Sequence, residues 1–238
     1  MSTSYFILSK SPEKDVANND SNSIFSNQNQ ILYILPKNLM TCYINDGLFE
    51  ARLIDWCKQF CSKEKTFVDI GAHTGTYTLS LAPYCNNVIS FEPQKMTYYA
   101  LCGGVALSNL KNVTCLNTGL GSQEQQGKST LKIISNDGGG STIRHNNSNI
   151  PVLNEEEIDI YTMDHFKIEN IGFIKMDVED NELYVLKGAR ETLRKSGNPT
   201  ILFECNGENK ELFDFIQNEL GYKSVPVSGI HNMYLACM

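Results

Sequence analysis

Residues 67–79, Phe-Val-Asp-Ile-Gly-Ala-His-Thr-Gly-Thr-Tyr-Thr-Leu, decide how this chain folds. Residues 67–70 are a short apolar run of strand character. Gly71 to Gly75 is a turn, and residues 76–82 carry helical spacing that stops before Pro83. The rhythm repeats downstream. Residues 88–91 read as a second strand ended by Glu92-Pro93, residues 96–108 as a helix spanning Gly103-Gly104, and residues 113–116 as a third strand. Strand and helix alternating in this way predict an α/β fold with a doubly wound, Rossmann-like parallel sheet.

Such a sheet binds its ligand outside the carboxyl ends of its strands. Gly71 and Gly75 let the backbone approach that ligand. Glu92, at the end of the next strand, can accept hydrogen bonds from ribose hydroxyls. A dinucleotide site places a second glycine where this chain has His73, and a pyrophosphate would be crowded there. S-adenosylmethionine carries no phosphate, tolerates a side chain at that position, and its sulfonium and amino-acid end suit a nearby carboxylate such as Asp69.

Outward from this centre, residues 1–30 are polar and read as a loosely ordered N-terminal segment. Residues 31–62 read as short strands (31–46, broken at Pro36) and a helix (47–60) packing on the core, and residues 63–238 as the ligand-binding domain. Residues 119–150 form a long excursion holding one strand-like piece, 131–134, which residues 158–162 can pair. Strands are predicted at 173–177, 201–204, 222–227 and 232–237, with helices at 182–195 and 210–220. Long excursions in compact domains are commonly functional, and Gly138 to Thr142 suits a mobile lid.

The net charge of −7 and the absence of any Lys/Arg run argue against nucleic acid as partner. No apolar run reaches membrane-spanning length, and Tyr5 to Leu8 is too short for a secretory signal. Eight cysteines without a CxxC read as reduced residues of a cytoplasmic protein. The sequons at Asn112 and Asn146 then read as chance. Oligomeric state has no signature in the sequence.

Three separated blocks resemble the FkbM family of methyltransferases. They are Asp69-Ile-Gly-Ala-His-Thr-Gly75, Phe91-Glu92-Pro93, and Lys175-Met-Asp-Val-Glu-Asp-Asn-Glu182 continuing to Val185-Leu-Lys-Gly-Ala189; Phe203-Glu204 agrees as well. The resemblance implies a class I methyltransferase fold of seven strands with the last antiparallel. It also implies methyl transfer from S-adenosylmethionine, usually to a hydroxyl of a sugar or small natural product. His73 replaces the family's asparagine. Asp180 replaces a glycine, and aspartate is among the few residues that tolerate positive φ.

The expected cofactor residues are Asp69, Gly71, Ala72, His73, Gly75, Thr76, Glu92 and Asp177. The expected catalytic residues are Asp177, Glu179 and Glu204 at strand ends and His231 in the last loop; His145 and His165 are weaker candidates. Glu182 is read as a helix cap. The carboxylates could hold Mg²⁺, but the expected set includes no metal. Tyr77, Tyr98 and Tyr99 are read as core or helix-face residues. Two other readings compete: a non-catalytic binding protein of the same fold, and an NAD-type oxidoreductase.

Overall fold

A computed structural model describes residues 4–10, 30–144 and 150–238. Most of the segment read as loosely ordered, together with His145 and the sequon at Asn146, lies outside the described residues.

The chain opens with β1 (Tyr5–Lys10) and β2 (Ile31–Pro36), an antiparallel pair. Next come α1 (Met40–Asp46), α2 (Ala51–Cys57), β3 (Thr66–Ile70), α3 (Thr76–Leu81), β4 (Asn87–Phe91), α4 (Lys95–Leu107) and β5 (Val113–Leu116). The excursion contributes β6 (Gly119–Leu120), β7 (Gly127–Ile133) and β8 (Asn154–Tyr161). The chain ends with β9 (Ile171–Met176), α5 (Glu182–Lys187), α6 (Arg190–Lys195), β10 (Thr200–Glu204), α7 (Lys210–Asp214), β11 (Lys223–Pro226) and β12 (Met233–Cys237).

Seven strands form the main sheet in the order β11-β12-β10-β9-β3-β4-β5. All pairs are parallel except those of β12, which runs antiparallel to both neighbours. This is the doubly wound sheet the alternation predicts. The strand order reverses between β3 and β9, and this switch point opens a crevice at their carboxyl ends. Side chains alternate across the sheet. Val68, Ile70, Ile174 and Met176 pack on the α5–α7 side, and Phe67 and Phe173 on the α2–α3 side. Asp69 and Lys175 are register partners, so they share the second face beneath α3.

Residues 131–134 and 158–162 fall on paired strands, β7 and β8, but not opposite each other: Leu131 and Ile133 face Glu156 and Asn154, while Ile158 and Ile160 face Ser129 and Gly127; β6 adds in parallel to form a separate three-stranded sheet. Other expectations need correction. Residues 37–46 are helical, not extended: after Pro36 the apolar spacing lengthens to four, from Leu39 to Tyr43, and both pack with Leu35 and Leu48. The next helix begins at Ala51 rather than Gly47, because Gly47 and Glu50 both take positive φ. Residues 182–195 form two helices that part at Gly188, whose carbonyl accepts the Asp164 N–H at 3.0 Å and which lies so close to the Gly121 carbonyl that a Cβ would overlap it. The α7 helix passes into a π-helical turn at 215–219. Gly103 and Gly104 leave α4 unbroken; they let β2 lie against it, where a side chain on Gly103 would meet Ile34. All eight cysteines are free thiols. Among the described residues no helix is long and apolar enough to cross a membrane.

Candidate active site

A cavity of about 350 Å³ lies at the switch point. Its floor is the turn after β3. Gly71 has φ +74, and a Cβ there would overlap the Asp177 carbonyl oxygen. The N–H groups of Gly71 and Ala72 both donate to the Phe91 carbonyl, each at 3.0 Å. Gly75 takes positive φ and starts α3 at Thr76. Gly71, Ala72, His73 and Thr76 line the cavity; Gly75 lies behind them.

Glu92 lines the cavity beside this turn and is only 6% exposed. Its Oε2 accepts the His73 N–H at 2.7 Å. Its Oε1 accepts the Gln94 N–H at 2.8 Å and the Thr97 hydroxyl at 2.9 Å. Burial raises its pKa, against the pull of His73 and these donors. A carboxylate offers about four acceptor positions. Three are taken, so one is left for a ribose hydroxyl. Glu92 therefore also holds the glycine turn in place.

Asp69 is fully buried and does not line the cavity. Its Oδ2 accepts the Thr78 hydroxyl at 2.6 Å, and its Oδ1 has no hydrogen-bond partner. Burial raises its pKa despite the charge of Lys175 beside it. Lys175 itself is 4% exposed. Its Nζ donates to the Gly71 carbonyl at 3.1 Å and to Asp177 Oδ2 at 3.2 Å, and stands over the Tyr77 ring. Burial would lower its pKa, but the charges of Asp177, Asp69 and Glu50 hold it above the usual lysine value. The Tyr77 hydroxyl in turn donates to Glu50 Oε2 at 2.9 Å. Lys175, Tyr77 and Glu50 all line the cavity, and none is among the site residues expected from the sequence. The available signal was a lone lysine in the otherwise apolar stretch 171–176. Tyr77 is a core residue as expected, but its hydroxyl also serves the site.

Three carboxylates gather where β9 and β10 end. Oxygens of Asp177, Glu179 and Glu204 lie within 4.8 Å of one another. Burial disfavours ionised Asp177, yet Lys175 and a hydrogen bond from Glu204 bring its pKa below the ordinary value. Burial, followed by the charges of Asp177 and Glu179, pushes Glu204 up to about 8. Burial, Asp177 and Asp180 push Glu179 up to about 7. Near neutral pH, Asp177 is thus the ionised member and Glu204 carries a proton. Glu179 and Asp180 both take positive φ, at +50 and +74, so the aspartate in the family's glycine position does occupy the left-handed region. Glu182 is the first residue of α5, but its side chain accepts the Val178 N–H at 3.0 Å and so ties the loop after β9 rather than capping the helix; burial raises it to about 7.

Asp177 and Glu179 line the cavity, while Glu204 stands just behind them and His231 is exposed in the turn after β11. His165 stacks on Tyr161 and lies outside the lining. The remaining walls come from two sources. Leu39, Tyr43 and Phe49 close the N-terminal side, with the two aromatic rings edge to face at 5.1 Å. Gly138 to Ser141, together with Leu131, Ile158 and Ile160, close the other.

A profile of the Methyltransferase FkbM domain matches residues 69–224, more than half of the chain. The FkbM methyltransferase of Methylobacillus flagellatus KT is 19% identical over 74% of this chain, with a TM-score of 0.51; the match spans 44% of that structure's length. An rRNA methylase from Streptococcus thermophilus is 13% identical, with 78% and 92% of the two chains covered and a TM-score of 0.47. The precorrin-6y C5,15-methyltransferase of Geobacter metallireducens GS-15 is 11% identical, with 79% and 85% covered and a TM-score of 0.48. No curated protein matches the chain. The profile match takes in all three blocks noted above, and on that match the chain belongs to the FkbM family of S-adenosylmethionine-dependent methyltransferases.

Proposed function

We propose that the protein transfers the methyl group of S-adenosylmethionine to a hydroxyl of a small, uncharged acceptor, a sugar or another hydroxylated metabolite. One observation carries the reading: an ionised carboxylate, Asp177, lines the same cavity as the glycine turn, in which His73 stands where a dinucleotide site has glycine. The cavity size falls within the range of small-molecule sites, roughly 300–1,000 Å³. The residues present fit the cofactor. Glu92 has one acceptor position left for a ribose hydroxyl. Gly71, Ala72, His73 and Thr76 present close backbone, supported from behind by Asp69 and Gly75, and Asp177 offers negative charge to the cationic end. When bound, S-adenosylmethionine supplies an electrophilic methyl group on a sulfonium.

This chain's own groups do the rest. Asp177 accepts the proton of the acceptor hydroxyl, and Lys175 keeps it ionised. Glu179 hydrogen-bonds another hydroxyl of the acceptor, and the protonated Glu204 donates to Asp177 from behind. A role for His231 requires an acceptor that reaches the β11–β12 edge. Tyr43 and Phe49, within the 31–62 segment that packs on the 63–238 domain, give an apolar face for a ring.

The charge of the lining favours an uncharged acceptor. Among the described residues of the lining, Glu50, Glu92, Asp137, Asp177 and Glu179 face Lys175 and His73. Phosphorylated metabolites and RNA would meet repulsion. Eight free thiols suit a reducing compartment, the cytoplasm. The test is transfer of label from methyl-labelled S-adenosylmethionine to panels of neutral sugars and glycosides, sugar phosphates, and short RNA. We expect label in the neutral panel. Label in RNA alone would overturn the acceptor class.

A further inference from the structure

Residues 135–141 roof the cavity, and one side chain ties them to the turn after β3. His73 Nε2 lies 2.6 Å from the Asp137 carbonyl oxygen. A carbonyl only accepts, so the ring proton sits on Nε2. Nδ1 faces the Thr74 hydroxyl at 3.4 Å. The backbone N–H of the same residue is held by Glu92. His73 thus fixes two walls at once. Two side-chain ties of the roof are longer, Asn38 Nδ2 to Asp137 Oδ2 at 3.3 Å, exposed, and the Ser141 hydroxyl to Gln94 Oε1 at 3.2 Å, and the Gly140 N–H donates to the Glu179 carboxylate.

We propose that the His73 ring is a latch seating residues 135–141 over the cavity, so that it positions the wall against which the acceptor binds. The acceptor clause rests on the methyl-transfer reading; the latch does not.

The test compares His73→Asn and His73→Gln with the native chain by amide hydrogen exchange of residues 135–144, with S-adenosylhomocysteine affinity measured in parallel. His73 has φ +51, and asparagine tolerates that region better than glutamine. Glutamine, however, carries an N–H at about the reach of Nε2, whereas asparagine stops near Nδ1. A latch therefore predicts exchange about tenfold faster in His73→Asn and near native in His73→Gln. The reverse order, or equal exchange in all three, overturns it. Unchanged exchange with lost S-adenosylhomocysteine affinity would make His73 a cofactor ligand instead. If the native chain binds no S-adenosylhomocysteine yet exchange follows the predicted order, the latch stands and the methyl-transfer reading falls. Should either variant fail to fold, nitrogen NMR of the native imidazoles decides: the Nε2–H tautomer at His73 supports the latch, and the Nδ1–H tautomer overturns it.

Discussion

The two halves of the cavity are built differently. One half is made where β3, β4 and β9 end, and its backbone has no slack. Gly71 presses on the Asp177 carbonyl, and Glu92 spends three of its acceptor positions on the turn and the start of α4. The other half is made of Leu39, Tyr43, Phe49 and the roof segment, joined by side chain-to-backbone ties and partly exposed side chains. Where backbone touches backbone, the residue types are dictated. Where side chains meet a loop, many solutions serve. A cofactor shared by a whole family and an acceptor particular to each member would use these halves respectively.

The comparison can be broken by substitution. The largest effect is expected for Gly71→Ala. A methyl group at φ +74 against a carbonyl should cost about 3 kcal/mol or more and abolish cofactor binding, seen as a lower Tm and no calorimetric signal. A well-folded, binding Gly71→Ala would show that the first half does have slack.

Asp177→Asn comes next. Loss of the proton acceptor should slow turnover by about 10²–10⁴-fold, far more than it weakens cofactor binding. Equal loss of both would make Asp177 a cofactor ligand rather than a base. Glu92→Ala should weaken S-adenosylmethionine binding by about 1.5–3 kcal/mol, or roughly ten- to a hundredfold. An unchanged affinity would refute the ribose assignment.

Smaller still is a pH effect on stability. The Glu204 pKa rises from an ordinary 4.5 to about 8 on folding. Its stabilising contribution is therefore complete below about pH 4.5 and is lost as the pH rises through about 8. Glu204→Gln should be more stable than the native chain at pH 9, by about 2 kcal/mol after allowing for its partial exposure, with no difference at pH 5. A constant offset across that range would contradict the shared proton. The smallest effect belongs to the second half: Phe49→Ala should raise the acceptor KM by about tenfold or less and leave cofactor affinity unchanged.

The contrast also accounts for what was legible beforehand. The strands around 67–79 and 171–176 and the residues Gly71, Glu92 and Asp177 could be read because buried parallel strands and tight turns narrow the choice of residue. The helix at 40–46 could not, because Pro36 masked a change of apolar spacing from two to four. The pairing of β1 with β2 joins two short runs that carry no local signal for each other. The break falls at Gly188, which packs against a carbonyl 67 residues earlier in the chain. Lys175 was visible as a charge in an apolar strand, but its partners Gly71, Asp177 and Tyr77 converge only in three dimensions. Asp69 is the reverse case: prominent in sequence, it is sealed below the cavity with one oxygen unpartnered.

The most direct test of the central claim is calorimetric titration of the native protein with S-adenosylmethionine and, separately, with NAD. The glycine turn bearing His73 predicts binding of S-adenosylmethionine and none of NAD. Binding of NAD alone would contradict the reading of His73, and with it the methyltransferase assignment of the site.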